Sequence, residues 1–198
     1  MKQLLALAVF AALPASALAN AVVGQPAPAF TEKDLSGRTV SLADYKGKVV
    51  VLEWNNPNCP FVEKHYTKSG NLPALQKKYG QDVVWLAVNS TNPSHQDYMS
   101  NEKLSGYMKA NNAAPAAYLV DADGSMGRSY GAKTTPHMYV IDRDGKLLYN
   151  GAIDDKRGTN PEEIKTAKNY VVSALGELKD GKPVSTPTSA PYGCSVKY

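Results

Sequence analysis

The sequence predicts an α/β sandwich built around one central mixed β-sheet flanked by helices, and three observations lead to this fold class. Two continuous apolar runs, residues 49–52 and 83–88, are typical of strands buried on both faces of a sheet. Segments of helical character alternate with the strands along the chain. A strand pair across Asp142-Arg143-Asp144-Gly145, followed by a helix, closes the pattern.

An N-terminal β-hairpin precedes the first buried strand. Residues 30–34 and 38–42 flank Leu35-Ser36-Gly37, which is typical of a hairpin turn. After the hairpin, Lys46-Gly47-Lys48 predicts a second turn that leads into the strand at 49–52. We therefore expect the sheet to include a short antiparallel pair at its start.

Helices and further strands are expected beyond that point. The helix at 61–79 should break near Gly70 and Pro73, because neither residue suits a helix interior. Asn160 and Pro161 should begin the last helix, as a cap and a first-turn residue. The remaining expected elements are a helix at 94–111, strands at 117–120, 138–141 and 146–149, and a last helix that ends near residue 178.

The chain divides into three predicted parts. Residues 1–19 combine a positive start, a short apolar run and the pair Ala17 and Ala19, which together predict a secretory signal peptide. Residues 20–181 form one domain, and residues 182–198 form an extended, flexible tail that carries Cys194. The apolar run is shorter than the ~20 residues of a spanning helix. We therefore expect a periplasmic or secreted protein with no stable membrane insertion after cleavage.

Charge excludes one class of partner. The formal net charge is +4, and the Lys and Arg residues are scattered among acidic ones. A nucleic-acid-binding face would instead gather basic residues into a patch or stripe. We expect no nucleic-acid partner and no cofactor.

Cys59 is the residue on which the predicted chemistry centres. It lies where a buried strand ends and a helix begins, and Pro60 suits the first helical turn. The free N–H groups and the dipole of a helix start favour a thiolate, which is the nucleophile of disulfide exchange and peroxide reduction. Trp54 is expected to pack beside this thiol. Asn55, Asn56 and Asn58 are expected to hold the turn by side-chain to backbone bonds, and contact with a substrate is the alternative.

A proline before a strand is the second unusual feature. Thr135-Pro136 directly precedes the strand at 138–141, and proline is tolerated at a strand's first residue but poorly within a central strand. A cis bond before Pro136 would give a tight, rigid turn, although an ordinary trans proline in a loop also fits the residues alone.

These two features together resemble the thioredoxin superfamily, with a similarity that runs from Gly24 to about residue 178. Residues 23–30 and 35–48 are similar to the opening of exported thiol-disulfide oxidoreductases and peroxiredoxins. More narrowly, residues 56–62 and 193–198 resemble peroxiredoxin-like redoxin proteins of the AhpC/TSA type. The resemblance implies a thioredoxin-like fold, a cis bond at Thr135-Pro136, and Cys59, Thr135 and Pro136 as site residues.

The sequence departs from the family patterns in ways that bear on function. Val62 replaces the second cysteine of the usual Cys-x-x-Cys, so no local disulfide can form. Leu52 and Asn56 stand where peroxiredoxins have a proline and a threonine or serine, and no arginine lies near the proline loop. Efficient peroxide reduction is therefore less expected than in a complete peroxidatic site.

Cys194 is the candidate partner of Cys59. The chain has two cysteines, and an oxidising compartment allows a disulfide to persist. At ~3.3 Å per residue, the dozen or so residues from the last helix to Cys194 span at most ~40 Å, enough to cross a domain. We therefore hypothesise a reversible disulfide in which Cys59 attacks and Cys194 resolves. Sulfenic acid on Cys59, resolved by an outside thiol, is the competing hypothesis.

The predicted function is thus thiol-disulfide exchange or peroxide reduction, with a protein disulfide or a hydroperoxide as substrate and an external thiol as reductant. The alternatives are a non-enzymatic binding module that keeps the fold with a degenerate redox motif, and a copper-handling protein. Copper would require Cys59 together with His65 or His137, but histidines without a metal are commoner, and no metal site is expected.

Overall fold

The computed structural model describes residues 21–198, and the predicted signal peptide at 1–19 lies outside them. The strands are β1 (Thr31–Asp34), β2 (Thr39–Ser41), β3 (Val49–Trp54), β4 (Val83–Asn89), β5 (Ala117–Val120), β6 (Thr134–Thr135), β7 (His137–Ile141), β8 (Leu147–Gly151) and β9 (Cys194–Ser195). The α-helices are α1 (Pro60–Glu63), α2 (Asn71–Tyr79), α3 (Asn101–Ala110), α4 (Ser125–Tyr130) and α5 (Tyr170–Lys179). Short 3₁₀ segments cover Leu42–Tyr45 and Pro161–Thr166, and a π-helical segment covers Lys64–Lys68.

A mixed sheet of seven strands forms the centre of the fold, in the order β2-β1-β5-β4-β3-β7-β8. Strands β3, β4 and β5 run parallel to one another. The antiparallel pairs are β7 with β3, β8 with β7, β1 with β5 and β2 with β1. The hairpin β1–β2 forms as its turn residues predict. This topology confirms the thioredoxin-like, mixed α/β fold class.

Both faces of the sheet are covered, as the continuous apolar runs predict. Val50, Leu52 and Trp54 of β3 pack into one core cluster, and Val51 packs into the other. Because successive side chains of a strand point to opposite faces, one short strand contributes to both halves of the core. Trp54 therefore packs on the face opposite the cluster that contains Cys59, and the expectation that it lies beside that thiol is wrong.

Two helices are shorter than predicted, and local polar contacts explain why. In the segment 94–100, the Asn92 carboxamide accepts from the backbone N–H of Ser94, and His95 Nδ1 accepts from that of Asp97. These bonds compete with helical ones, so α3 begins only after its cap Ser100. The last predicted helix is interrupted because residues 167–169 pair with the chain around Asp154 instead.

The tail is extended, as predicted, and its backbone is hydrogen-bonded to the domain at several points. The Asn150 N–H donates to the Pro187 carbonyl, and Thr188 bridges Asn150 of β8. Farther on, the Lys197 carbonyl accepts from the N–H of Asn92, and the Tyr198 hydroxyl donates to the carbonyl of Ala132. The tail therefore crosses from the sheet edge to the loop before β7.

The described residues, 21–198, include no helix with both the length and the apolar character that a membrane crossing requires.

Candidate active site

Cys59 lies at the junction that the sequence predicts. Its backbone is extended, and its carbonyl accepts the first helical hydrogen bond, from the N–H of Glu63 at 2.9 Å. Pro60 occupies the first helical position, where no N–H is needed. The Asn56 side chain accepts from the backbone N–H of Asn58 at 2.9 Å and so holds the turn as predicted. The Asn55 side chain instead bonds the side chains of Glu53 and Tyr118, and that of Asn58 donates to the carbonyl of Asp97. The Cys59 residue itself is 1% exposed.

The proline loop reaches Cys59 directly. The Thr135-Pro136 peptide bond is cis, as the family resemblance implies. The Cys59 thiol donates a hydrogen bond to the backbone carbonyl of Thr135, with 3.0 Å between sulfur and oxygen. Three of the four predicted site residues, Cys59, Thr135 and Pro136, are thus contiguous in space.

The tail brings the fourth predicted residue to the same place. Strand β9 pairs antiparallel with β6, so that Cys194 lies opposite Thr135 and Ser195 opposite Thr134. Both cysteines are free thiols in this structure, and both pack against the same core cluster. The carbonyl that receives the Cys59 thiol therefore belongs to the residue paired with Cys194.

A glycine makes this close approach of the tail feasible. Gly193 has φ = 132°, and a Cβ atom there would lie 2.1 Å from the carbonyl oxygen of Thr135. Only glycine lets the backbone pass this close to the proline loop in that conformation.

The two thiols do not have the same environment. Burial raises the pKa of Cys194 to about 12, and its hydrogen bond and charge interaction with Cys59 add to the rise. Cys194 is therefore protonated at neutral pH. This is the state expected of a thiol that acts second, after Cys59 has reacted.

The two candidate metal ligands lie in the protein interior with other partners. His65 is fully buried and contacts Asn71 and Tyr192, and burial lowers its pKa to about 3. His137 contacts Asn150 at 2.8 Å, and burial lowers its pKa to about 4. Within the part of the chain that the structure describes, no cluster of three or more His, Cys, Asp or Glu side chains is arranged to hold a metal ion.

Sequence reasoning missed a buried polar cluster that contacts the tail. The Tyr192 hydroxyl donates to Asp154 Oδ1 at 2.6 Å and lies 3.3 Å from His65 Nε2. Tyr192 is 6% exposed, Asp154 1% and His65 fully buried. A tyrosine two residues before Cys194, in a tail otherwise rich in small residues, was the available signal.

A buried carboxyl group beneath the site was also missed. Glu53 of β3 is fully buried, and burial raises its pKa, while hydrogen bonds to its oxygens oppose the rise. The donors are the side chains of Tyr66 (2.6 Å), Trp85 (2.7 Å), Asn55 (2.9 Å) and Gln76 (3.2 Å). An acidic residue inside an otherwise apolar strand was the signal in the sequence, and its four donors give it a structural role.

Known proteins share this fold and part of this sequence. A thiol-disulfide oxidoreductase ResA from Bacillus thuringiensis subsp. konkukian is 28% identical over 126 residues, which cover 64% of this chain and 67% of that protein. A chloroplastic peroxiredoxin Q from Suaeda salsa is 29% identical over 153 residues, which cover 72% and 66% of the two chains. The crystal structure of an uncharacterised conserved protein from Geobacillus kaustophilus superposes with a TM-score of 0.76 at 29% identity, covering 90% of this chain and 93% of that one.

The family itself follows from a match over most of the chain. The Redoxin family model matches residues 22–170, which include β1 to β8, Cys59 and the cis-proline loop. The matched region ends before the tail, so Cys194 and its pairing with Thr135 are features of this chain outside the family match. By its sequence and its fold, the chain belongs to the Redoxin family.

Proposed function

We propose that this protein is an exported thiol oxidoreductase in which Cys59 attacks the substrate and Cys194 resolves the product. One observation carries the proposal. The Thr135 residue whose carbonyl accepts the Cys59 thiol at 3.0 Å is paired, backbone to backbone, with Cys194. The Redoxin match and the similarity to a thiol-disulfide oxidoreductase support a thiol-based redox function.

With a disulfide substrate, the reaction has two exchange steps. The Cys59 thiolate attacks one sulfur of the substrate, a mixed disulfide forms, and the other substrate sulfur leaves as a thiolate. Cys194 then loses its proton to that leaving group or to water and attacks the Cys59 sulfur. A Cys59–Cys194 disulfide forms and the second substrate thiol leaves. Two protein thiols are oxidised and one substrate disulfide is reduced to two thiols.

The dependence of the Cys194 pKa on Cys59 favours this order of the two steps. Part of the rise in its pKa comes from Cys59, through a hydrogen bond and charge. Once Cys59 is held in a mixed disulfide, it can no longer carry a negative charge, and Cys194 becomes easier to deprotonate. The first step thus prepares the second.

A protein disulfide is the substrate that the site favours over a hydroperoxide. The hydrogen-bond partner at the Cys59 sulfur is a carbonyl oxygen, which accepts hydrogen bonds and cannot donate one. Peroxide reduction relies on donors that stabilise the developing negative oxygen. With a hydroperoxide, Cys59 would take one oxygen to become a sulfenic acid, an alcohol would leave, and attack by Cys194 would release water. In either case an external thiol reductant would restore the two cysteines.

Export is part of the proposal because a lasting disulfide needs an oxidising compartment. It rests on the signal-peptide pattern of residues 1–19, with cleavage after Ala19. The mature protein would then act in the periplasm or outside the cell, with a domain at 20–181 and a functional tail at 182–198.

One mass measurement tests both export and pairing. The full chain is produced in a Gram-negative host, and the periplasmic fraction is quenched in acid and alkylated without reduction. We expect a chain that begins at Asn20, carries no alkyl groups and has lost two hydrogens. Two alkylated thiols, or a bridge between two chains, would contradict the pairing, and a retained leader would contradict export.

Reaction rates decide between the substrates. The reduced protein is mixed with oxidised glutathione in one experiment and hydrogen peroxide in another, and Cys59→Ser serves as the control. We expect the disulfide to react faster, and Cys59→Ser to react with neither. If wild type reacts with neither oxidant, the competing function stands, namely a binding module or a copper-handling protein with a degenerate redox motif.

A further inference from the structure

We propose that Tyr192 is a positioning residue whose buried hydroxyl, held by Asp154 and His65, sets the register of the tail so that Cys194 reaches Cys59. This inference rests on the proposed function of the two cysteines. It adds a third residue of the tail to the reaction, one that neither cysteine chemistry nor the family match assigns.

The contacts of Tyr192 are those of an anchor. Its hydroxyl donates to Asp154 Oδ1 at 2.6 Å, and its ring packs edge-on against Phe61, with 5.9 Å between ring centres. The ammonium group of Lys64 lies 5.9 Å above the ring. The side chain is 6% exposed, whereas most of the tail around it is half-buried or exposed. No other side chain of residues 182–198 is as buried as this one.

The hydrogen bonds around the hydroxyl form a directed chain. The Asn71 carboxamide lies 3.0 Å from His65 Nδ1, and its N–H donates to that nitrogen. The proton of a neutral His65 is then on Nε2, which donates to the Tyr192 oxygen at 3.3 Å. Tyr192 in turn donates to Asp154. Because burial and Lys64 hold the pKa of His65 at about 3, the ring is neutral and this direction persists at physiological pH.

Loss of the hydroxyl would leave the Asp154 carboxyl group with a single hydrogen bond, from the backbone N–H of Lys156. Its Oδ2 is buried without a hydrogen-bond partner and lies 3.8 Å from His65 Nε2, and burial raises the pKa of the carboxyl group. Oδ1 accepts from Tyr192 and from the backbone N–H of Lys156. Because the carboxyl group is buried and its Oδ2 already lacks a partner, loss of the bond from Tyr192 is costly.

The anchor and the nucleophile belong to one helical stretch. Cys59 caps the start of α1, Phe61 lies in α1, and His65 lies in the π-helical segment that continues it. Tyr192 therefore binds to the same element that holds Cys59. Gly193 passes against the Thr135 carbonyl and Cys194 pairs with Thr135, so the backbone that carries the Cys194 thiol is held beside the proline loop. This geometry holds Cys194 close to the Cys59 sulfur, and it therefore sets the effective concentration of the resolving thiol.

The test separates the two exchange steps with oxidised glutathione as the probe. The first step joins one glutathione to Cys59 and releases the other, and the second step forms the Cys59–Cys194 disulfide and releases the remaining glutathione. Tyr192→Phe keeps the ring and removes the hydroxyl. Tyr198→Phe is the matched control, because it removes the other tyrosine hydroxyl of the tail, which donates to the carbonyl of Ala132.

We expect Tyr192→Phe to slow the second step about tenfold and to leave the first step within about twofold of wild type. Tenfold is the factor that corresponds to one buried hydrogen bond to a carboxyl group. The equilibrium constant for forming the disulfide from oxidised glutathione should fall by the same factor. Tyr198→Phe should match wild type in both steps. A merely structural role for Tyr192 would instead change the two steps alike.

A second variant guards against a folding defect. Asp154→Leu removes the acceptor and leaves Tyr192 in place, and it should slow the second step as Tyr192→Phe does. If Tyr192→Phe and Asp154→Leu both resolve at the wild-type rate, the positioning role is overturned while the proposed function stands. If wild type itself forms no Cys59–Cys194 disulfide, both are overturned.

Discussion

Gly193 is the single residue on which the approach of the tail to the cis-proline loop depends most. Its φ of 132° lies in the region that other residues adopt only with strain, and its Cα faces the Thr135 carbonyl. Neighbouring Tyr192 and Cys194 supply the anchor and the thiol. Residues 192–194 thus supply, in order, an anchoring side chain, a glycine that allows close backbone contact, and a reactive thiol.

Gly193→Ala should therefore displace β9 and slow formation of the Cys59–Cys194 disulfide by more than tenfold. The added methyl group would lie 2.1 Å from the Thr135 oxygen, and the backbone strain alone costs about 1–3 kcal/mol. The rate is measured by alkylation and mass spectrometry after mixing with oxidised glutathione. Gly181→Ala is the matched control, since Gly181 also has positive φ (68°) but has open space around it. Equal rates in the two variants would contradict the role of the close contact.

At the scale of elements, strand β1, which lies between β2 and β5, carries a carboxyl group whose pKa is raised by its surroundings. Glu32 on β1 is half-buried, and burial together with the carboxyl groups of Asp121 and Asp123 raises its pKa to about 7. Because the ordinary value is 4.5, the folded protein binds more protons than the unfolded chain between these values. The free energy of unfolding therefore falls as the pH rises through this range.

Glu32→Gln should remove this fall in the free energy of unfolding at higher pH. We expect the variant to be more stable than wild type at pH 8, by about 1 kcal/mol once solvent screening of a half-exposed group is allowed for. The difference should vanish near pH 4.5. Urea denaturation at the two pH values measures it. Glu102→Gln is the control, because capping hydrogen bonds lower the pKa of Glu102 and its substitution should bring no gain at pH 8.

At the scale of the whole molecule, the tail ties together parts of the fold that are distant in sequence. It bridges β8 through Thr188, meets the helical stretch of Cys59 through Tyr192, and pairs with β6 through Cys194. A disulfide between Cys59 and Cys194 would enclose most of the folded chain in one covalent loop.

Oxidation should therefore stabilise the molecule by about 2–4 kcal/mol, because a cross-link over a long loop restricts the unfolded chain. Urea denaturation of the oxidised and reduced protein measures the difference. Cys194→Ser, which cannot form the bridge, should unfold at the same urea concentration under both conditions. Identical midpoints for oxidised and reduced wild type would argue against an intramolecular bridge.

The sequence predicts the sheet better than the helices, and the reason is physical. Runs such as 49–52 and 83–88 are apolar on both faces, so their burial follows from composition alone. The helix expected at 94–111 is polar, and side-chain hydrogen bonds of Asn92 and His95 decide its start. Such local competition is not visible in hydrophobic periodicity, and neither is α4, whose six residues are too few to show a pattern.

The residues of the site were predictable from the sequence, but the contacts that hold them in place were not. Cys59, Thr135, Pro136 and Cys194 each follow from a position in the sequence or from the family resemblance, and the structure brings them together. The contacts of Tyr192 with Asp154 and His65 join three segments that are far apart in sequence. Without the fold, nothing in the spacing of these residues indicates that they meet.

The late position of β9 has a consequence for how the molecule matures. Cys194 is synthesised after every strand of the seven-stranded sheet, so a growing chain holds Cys59 without its partner until the domain is already complete. A proteolytic cut anywhere between α5 and Cys194 would leave the main sheet whole and detach one thiol. Under the proposed function, a mixed disulfide formed on Cys59 of such a clipped protein would have no second thiol in the same chain to release it, and the protein would act as a trap instead of a catalyst.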